Sequence, residues 1–171
     1  MSLGRAVDSD RQLARLLQIG VVLEEMVEAG ATHHVRREPQ AVDEPVTELL
    51  AEAAEESAEH RERLEALIAE LDADSVAYEE IEAVVEAQYA ADDAFDDVLY
   101  DQLCNEETAY KFYDDLLRAL GVTDDDADES TLAADAEFSL DRDRLVETLR
   151  EIREEEAEGV ETVTDMMERR T

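Results

Sequence analysis

The feature that most constrains the fold is a long stretch of chain without a helix-breaking residue. Between Pro45 and Gly121 the sequence contains neither glycine nor proline, and it has little of the β-branched alternation that is typical of strands. Because glycine and proline are the strongest breakers of regular structure, such a stretch is expected to be helical and to be interrupted only by Asp-rich turns. The sequence therefore predicts an all-α fold.

Capping and stop signals divide the chain into four long helices and one shorter helix. The predicted bounds are Asp8 or Ser9 to Arg37 for helix A, Asp43 to Leu71 for helix B, Ser75 to Ala87 for the shorter helix, Asp92 or Asp93 to Leu120 for helix C, and Ser139 to Met167 for helix D. Helices C and D are joined by an acidic loop. At about 1.5 Å per residue, each long helix is about 40 Å in length. Four helices of similar length predict an antiparallel four-helix bundle, with the shorter helix as a crossover between helices B and C.

The composition is strongly acidic. The chain has 49 Asp and Glu against 15 Lys and Arg, which gives a formal net charge of −34. Such a surface repels itself at low ionic strength and is tolerated when salt screens it. Lys111 is the single lysine, and this pattern is typical of a salt-adapted, halophilic cytoplasm. The excess of acids also argues against nucleic acid as a partner, because phosphates need a basic patch.

Other classes of protein are excluded by what the sequence lacks. No apolar run is long enough to span a membrane, and the N-terminus does not have the layout of a signal peptide. Cys104 is the only cysteine, so we expect neither a disulfide framework nor a four-cysteine metal site. We therefore expect a cytoplasmic protein without a membrane partner. It is a single domain over residues 1–171, with residues 1–8 as a loose tail. The oligomeric state is not determined by the sequence, and a homodimer stays open.

Four polar residues lie on or beside the apolar stripes of the long helices when each helix is plotted at about 100° per residue. The stripe of helix C, for example, is predicted to be Phe95, Leu99, Leu103, Tyr110, Tyr113 and Leu117. Glu106 and Glu156 lie on the centre lines of helices C and D. His60 is bracketed by apolar residues on helix B, and Glu24 lies at the edge of the stripe of helix A. All four are near the middle of their helices, so an antiparallel bundle brings them to one level.

Three carboxylates and an imidazole in one buried volume require a cation, because unpaired buried charges are prohibitively unfavourable. Glutamates with one histidine suit iron or manganese ahead of zinc. Each residue also has a purely structural interpretation. An inward Glu24 can result from a misplaced helix phase, and His60 alone is more often a hydrogen-bonded core histidine than a ligand. Tyr113 is expected in the core, with a hydrogen bond to a ligand as the alternative. His33 and His34 lie about 14 Å along the helix axis from Glu24, too far for the same site.

Helices B and D contain a weak internal repeat. The segments EESAEHRERL (55–64) and EEEAEGVETV (154–163) align without gaps, and His60 aligns with Gly159. Glycine in the interior of a helix costs about 1 kcal/mol relative to alanine, so this position needs a reason. The glycine either replaces a lost ligand or allows close packing by a neighbouring group.

The pattern resembles the ferritin-like superfamily and, within it, the rubrerythrins. In that family helices A and C each give a Glu, and helices B and D each give Glu-x-x-His, to a di-iron centre. The run EETAYKFYDDL (106–116) resembles the helix C motif Glu-x-x-Ala-x-x-x-Tyr, and REEEAEGVETV (153–163) resembles helix D. The resemblance implies that Glu24 is the ligand of helix A and Glu106 that of helix C.

The same resemblance implies that each Glu-x-x-His motif has lost one ligand. On helix B the motif is Ser57-x-x-His60, without its glutamate. On helix D it is Glu156-x-x-Gly159, without its histidine. Glu56 is then the candidate to replace the missing carboxylate of helix B. A full two-metal site is not expected unless Glu56 takes this role.

The sequence therefore predicts a protein that binds one iron or manganese ion in the bundle core. The predicted ligands are Glu24, His60, Glu106 and Glu156, with Glu56 as the replacement carboxylate. Whether the protein is an enzyme stays open; an enzyme of this type would be a ferroxidase-type or peroxidase-type oxidoreductase that acts on oxygen or peroxide. The alternative is a metal-free family member that serves as a structural or partner-binding module. Its inward carboxylates would be protonated or hydrogen-bonded to Tyr110, Tyr113 and Ser57.

Overall fold

The computed structural model describes residues 7–37, 42–91, 97–122 and 137–170, which form five α-helices and no β-strand. The helices are α1 (Asp10–Arg37), α2 (Glu44–Glu70), α3 (Tyr78–Ala91), α4 (Val98–Ala119) and α5 (Arg142–Arg170). The prediction of an all-α fold is confirmed. Among these five helices, none is both long enough and apolar enough to cross a lipid bilayer.

The bounds of α1 and α2 lie within two residues of the prediction, because both helices have strong local signals. Asp43 caps α2 by accepting a hydrogen bond from the Val46 amide at 3.3 Å, and Pro45 lies in the first turn, where its missing N–H does no harm. The helix ends where Leu71 adopts an extended conformation.

α3 and α5 each start three residues later than predicted. α3 begins at Tyr78, and α4 begins at Val98 because the side chain of Asp97 accepts hydrogen bonds from the amides of residues 99 and 100. The predicted start of helix C at residues 92–93 lies outside the described residues. α5 begins at Arg142, where Asp141 accepts from the Arg144 amide at 2.8 Å. The loop between α4 and α5 lies mostly at residues 123–136, which are also outside the described part of the chain.

Hydrogen bonds at the start of α1 join it to the ends of α2 and α4 and to the start of α5. Asp10 accepts hydrogen bonds from the backbone amides of Asp72 (2.9 Å), just after α2, and Ser139 (3.0 Å), just before α5. Val7 is buried, and its amide donates to the Ala119 carbonyl at the end of α4 at 3.3 Å. The expected N-terminal tail is described only from Val7 onward.

The helices pack mainly as two pairs. α1 lies along α2 and α4 along α5, while α1 also contacts α4 and α3.

Tyr110 was predicted on the core stripe of α4 but is 38% exposed, so this prediction is wrong. Ala109, the preceding residue, is fully buried instead. The predicted Phe95 lies outside the described residues.

The buried apolar residues form two separate clusters, and the four predicted ligands lie between them. On α1, Val21 belongs to the larger cluster and Ala31 to the smaller, with Glu24 between them in sequence. The same holds on the other three helices. His60 lies between Leu50 and Leu64 on α2, Glu106 between Leu99 and Ala109 on α4, and Glu156 between Ile152 and Val163 on α5. A buried polar layer thus divides the core in two.

Candidate metal centre

Three buried side chains from three helices converge in this polar layer. Glu24 of α1, His60 of α2 and Glu156 of α5 are 0%, 1% and 2% exposed. His60 Nδ1 lies 3.0 Å from Glu156 Oε1 and 3.4 Å from Glu24 Oε2. One potential ligand atom from each residue lies within 4.8 Å of the others. This buried cluster could hold a metal ion.

Two oxygens of the cluster lack hydrogen bonds. Glu24 Oε2 and Glu156 Oε2 are buried, and neither accepts a hydrogen bond from a described residue. Buried polar atoms are nearly always hydrogen-bonded, and a buried carboxylate oxygen without a partner destabilises the fold. A cation bound to both oxygens and to His60 Nδ1 would satisfy them, so the donor set fits a metal ion.

A third carboxylate, that of Glu155, contacts the other nitrogen of the His60 ring. His60 Nε2 lies 2.7 Å from Glu155 Oε2, and Arg63 donates to the same oxygen at 2.8 Å. Burial acts to raise the pKa of Glu155, but the hydrogen bonds from Arg63 and His60 lower it, so this carboxyl stays ionised. An ionised Glu155 favours the tautomer in which Nε2 carries the proton, and this leaves the Nδ1 lone pair available to a metal.

Without a metal ion, the cluster holds protons instead. Burial acts to lower the pKa of His60, but its hydrogen bond with Glu156 and the nearby carboxylates of Glu156 and Glu24 raise it to about 10. Burial raises the pKa of Glu156 to about 9 and also raises that of Glu106. A metal ion therefore competes with protons for these ligand atoms.

Tyr113 fixes the remaining ligand, Glu24. The phenol is fully buried, and its hydroxyl donates to Glu24 Oε1. Gly20, one turn before Glu24 on α1, leaves space beside this hydroxyl, because a Cβ there would lie 3.2 Å from its oxygen. Tyr113 is thus both a core residue, as predicted, and a hydrogen-bond partner of a candidate ligand.

Glu106 lies beside the cluster but is not one of its three members. It is 7% exposed, and its Oε1 accepts a hydrogen bond from the buried Gln102 side chain at 2.6 Å. Its carboxylate lies against the backbone of Gly159, where a Cβ would be 2.9 Å from Glu106 Cδ. Real Cβ atoms do not approach so closely, so the glycine makes room for Glu106. Close packing therefore accounts for the glycine in the interior of α5.

Glu56 is not a member of the inner cluster of Glu24, His60 and Glu156. It forms a second group with His60 and Glu155, whose potential ligand atoms also lie within 4.8 Å of one another. This group is partly exposed, and Arg63 already supplies a positive charge to Glu155. The described contacts thus favour the inner cluster as the metal site, and the role of Glu56 as a replacement ligand stays a prediction.

The sequence did not identify Gln102 and Glu155 as residues of this site, and it placed His33 and His34 outside the site. Gln102 lies one helical turn before Glu106, so its spacing was a detectable signal. Glu155 gave no signal, because its partners His60 and Arg63 come from another helix. His33 and His34 lie near each other, with ring centroids 6.3 Å apart, and they are not part of the cluster.

No family model, no curated protein and no solved structure matches this chain. The function is therefore inferred from the cluster itself.

Proposed function

We propose that the protein binds one divalent transition-metal ion, iron or manganese, in the core of the helical bundle. The ligands are Glu24, His60 and Glu156, and Glu106 can become a fourth. The observation that carries the proposal is the pair of buried carboxylate oxygens, Glu24 Oε2 and Glu156 Oε2, that accept no hydrogen bond beside a histidine Nδ1. Oxygen ligands with one imidazole favour iron or manganese over zinc, for which sulfur and several nitrogens are common.

We also infer a ferritin-like, rubrerythrin-like architecture in which α1 and α5 run in one direction and α2 and α4 in the other. The contacts of Asp10 with Asp72 and Ser139, and of Val7 with Ala119, are those expected when these four helix ends meet. At the opposite ends of the helices, the ion pair of Arg170 with Asp43 has the same implication. In this arrangement α3 is the crossover between α2 and α4.

Bound iron would supply one-electron redox chemistry toward oxygen or peroxide, as in ferroxidases and peroxidases. The chain's own groups bind and orient the ion. Tyr113 and Glu155 hold Glu24 and His60 in place, and the two apolar clusters on either side exclude water from the layer. A halophilic cytoplasm is the setting in which we expect this activity.

A metal-free helical module is the second candidate, and one observation favours it. Both nitrogens of His60 already have carboxylate neighbours, at 3.0 Å and 2.7 Å, so a protonated cluster is partly satisfied without a metal. The two candidates differ in what the purified protein contains.

The test is metal analysis of the full chain, purified without a histidine tag in molar salt after growth with added iron and manganese. We expect about one equivalent of iron or manganese per chain. His60→Gln should weaken the affinity by at least about tenfold. His33→Gln makes the same change outside the cluster and should leave the affinity unaltered. A wild-type protein without either metal after supplementation would favour the metal-free module.

A further inference from the structure

We propose that Gly159 and Gln102 are positioning residues that hold the Glu106 carboxylate beside the metal centre and so set the number of protein ligands on the ion. This inference rests on the proposed function. Gly159 and Gln102 are called the Glu106 seat below. With Glu106 on its seat, three protein ligands contact the ion and the other coordination positions are left to water or substrate.

The seat is formed by groups on two helices. On α4, the Gln102 side chain is 3% exposed and donates to Glu106 Oε1 at 2.6 Å. On α5, Gly159 presents bare backbone to the same carboxylate, and a Cβ there would lie 2.9 Å from Glu106 Cδ and 3.4 Å from Oε1. A side chain of any size at residue 159 would therefore displace the carboxylate.

The position of the seat determines where a displaced carboxylate would go. Gly159 follows Glu156 by three residues and lies on the same face of α5, one turn along. The Glu106 carboxyl lies within hydrogen-bonding reach of the Glu156 carboxyl and is affected by the charges of Glu24 and His60. It is nevertheless not among the three described residues whose ligand atoms lie within 4.8 Å of one another. Because Glu106 is buried and adjoins the polar layer, its carboxylate keeps a polar environment by staying in that layer. A carboxylate that leaves the seat should move to the ion.

The seat also accounts for a glycine in the interior of α5. Glycine weakens the interior of a helix relative to alanine, and Gly159→Ala would strengthen α5 if nothing occupied the space beside it. The occupant is a ligand-type carboxylate held by a buried amide. The glycine thus keeps one coordination position of the ion open.

The first experiment replaces Gly159 with alanine in the full chain and uses Mn²⁺ as the probe. We expect the metal-free variant to melt about 2 to 12 °C lower than the wild type, because the core is overpacked. We expect Mn²⁺ to bind about tenfold more tightly, because a third carboxylate joins the ion as its fourth protein ligand. Water-proton relaxation should count one fewer water molecule on bound Mn²⁺. A purely structural glycine would not change this number.

Two further variants isolate the role of the carboxylate. In a Glu106→Ala background, Gly159→Ala should neither destabilise the metal-free protein nor tighten Mn²⁺ binding, because the clashing group is gone. Gln102→Met releases Glu106 without crowding α5, and it should also remove one water from bound Mn²⁺. This variant keeps the test open if Gly159→Ala does not fold.

The outcomes separate this inference from the proposed function. If the wild type binds Mn²⁺ but Gly159→Ala and Gln102→Met keep its affinity and its number of bound waters, the seat is overturned and the metal site stands. If neither the wild type nor any variant binds Mn²⁺ or Fe²⁺, the proposed function is overturned and the inference with it.

Discussion

His60 lies between two carboxylates that are adjacent in sequence, Glu155 and Glu156, and they contact different nitrogens of the ring. Glu156 approaches Nδ1 at 3.0 Å from inside the bundle, and Glu155 approaches Nε2 at 2.7 Å from the more exposed side. Only one nitrogen can be a metal ligand while the other carries a proton. The ion pair of Glu155 with Arg63 decides between them, because it keeps a negative charge next to Nε2.

Glu155→Gln should therefore weaken metal binding although Glu155 does not touch the ion. The neutral amide holds the Nε2 proton less strongly and lowers the basicity of Nδ1, so we expect a loss of affinity of about 10-fold to 100-fold. Titration of the metal-free protein with Mn²⁺ or Fe²⁺ measures the change. The matched control is Glu154→Gln, which removes the same charge from an exposed neighbour on α5. Equal affinities for the two variants would argue against an orienting role for Glu155.

At the scale of residues, the sequence predicts whether a side chain is buried when this depends only on the face of the helix that the residue occupies. Glu106 and Glu156 were predicted to point inward because apolar residues on both sides set the phase of α4 and α5, and both are buried. The reason for Gly159 could not be predicted, since it depends on a carboxylate from a different helix. Glu155 was likewise one acid among 49, and only the position of Arg63 on α2 distinguishes it.

At the scale of helices, Asp43 joins the start of α2 to the end of α5. Its Oδ1 accepts a hydrogen bond from the Val46 amide, and its Oδ2 pairs with Arg170 in the last turn of α5. The first contact is a helix cap and the second is an exposed ion pair. Caps contribute more than exposed ion pairs, so the two contacts should separate on mutation.

Asp43→Ala should destabilise the protein by about 1 kcal/mol, because the cap is lost. Asp43→Asn keeps an oxygen that can accept from the Val46 amide and removes only the charge, so its loss should stay below about 0.5 kcal/mol in molar salt. Denaturant unfolding of both variants measures the difference. Equal losses for Ala and Asn would mean that the ion pair with Arg170 is the larger contribution.

The existence of all five helices was predictable, while several of their ends were not. Breakers and caps are local signals, and they placed α1 and α2 to within two residues. Ser139 was the predicted start of helix D, but its amide and hydroxyl both bond to Asp10 on α1. Asp141, two residues later, caps α5 instead. In a chain so rich in Asp, many residues can cap a helix, and tertiary contacts decide which of them does.

At the scale of the whole molecule, charge acts in two places with different physical consequences. The surface carries most of the −34 net charge. At molar salt the screening length is about 3 Å, so the repulsion between surface charges that are farther apart is largely screened. The polar layer between the two apolar clusters is buried, so salt screens it far less. In molar salt the surface charges therefore contribute little to the free energy of unfolding. A change of this free energy with pH then reports mainly on the buried groups.

The metal-free protein should lose stability as the pH rises from 6 to 9 in molar salt. His60 has a folded pKa of about 10 against an ordinary 6.5, so its stabilising contribution is complete below pH 6.5 and is lost as the pH approaches 10. Glu156 has a folded pKa of about 9 against 4.5. Between these values the folded state holds a proton that the unfolded state has released, so stability falls with rising pH here too. Each extra proton bound by the folded state corresponds to a slope of about 1.4 kcal/mol per pH unit.

Glu156→Gln is the variant that tests this dependence, because glutamine resembles a protonated glutamate at every pH. After chelation of metal ions, urea unfolding should find the variant close to the wild type at pH 6 and more stable than the wild type at pH 9. Glu154→Gln, which changes an exposed carboxylate, should follow the wild type at both values. Saturating Mn²⁺ should reverse the order at pH 9, because the ionised Glu156 is then a ligand and the glutamine is a poorer one. A metal-free wild type with the same stability at pH 6 and pH 9 would contradict the protonated state of the cluster on which this expectation depends.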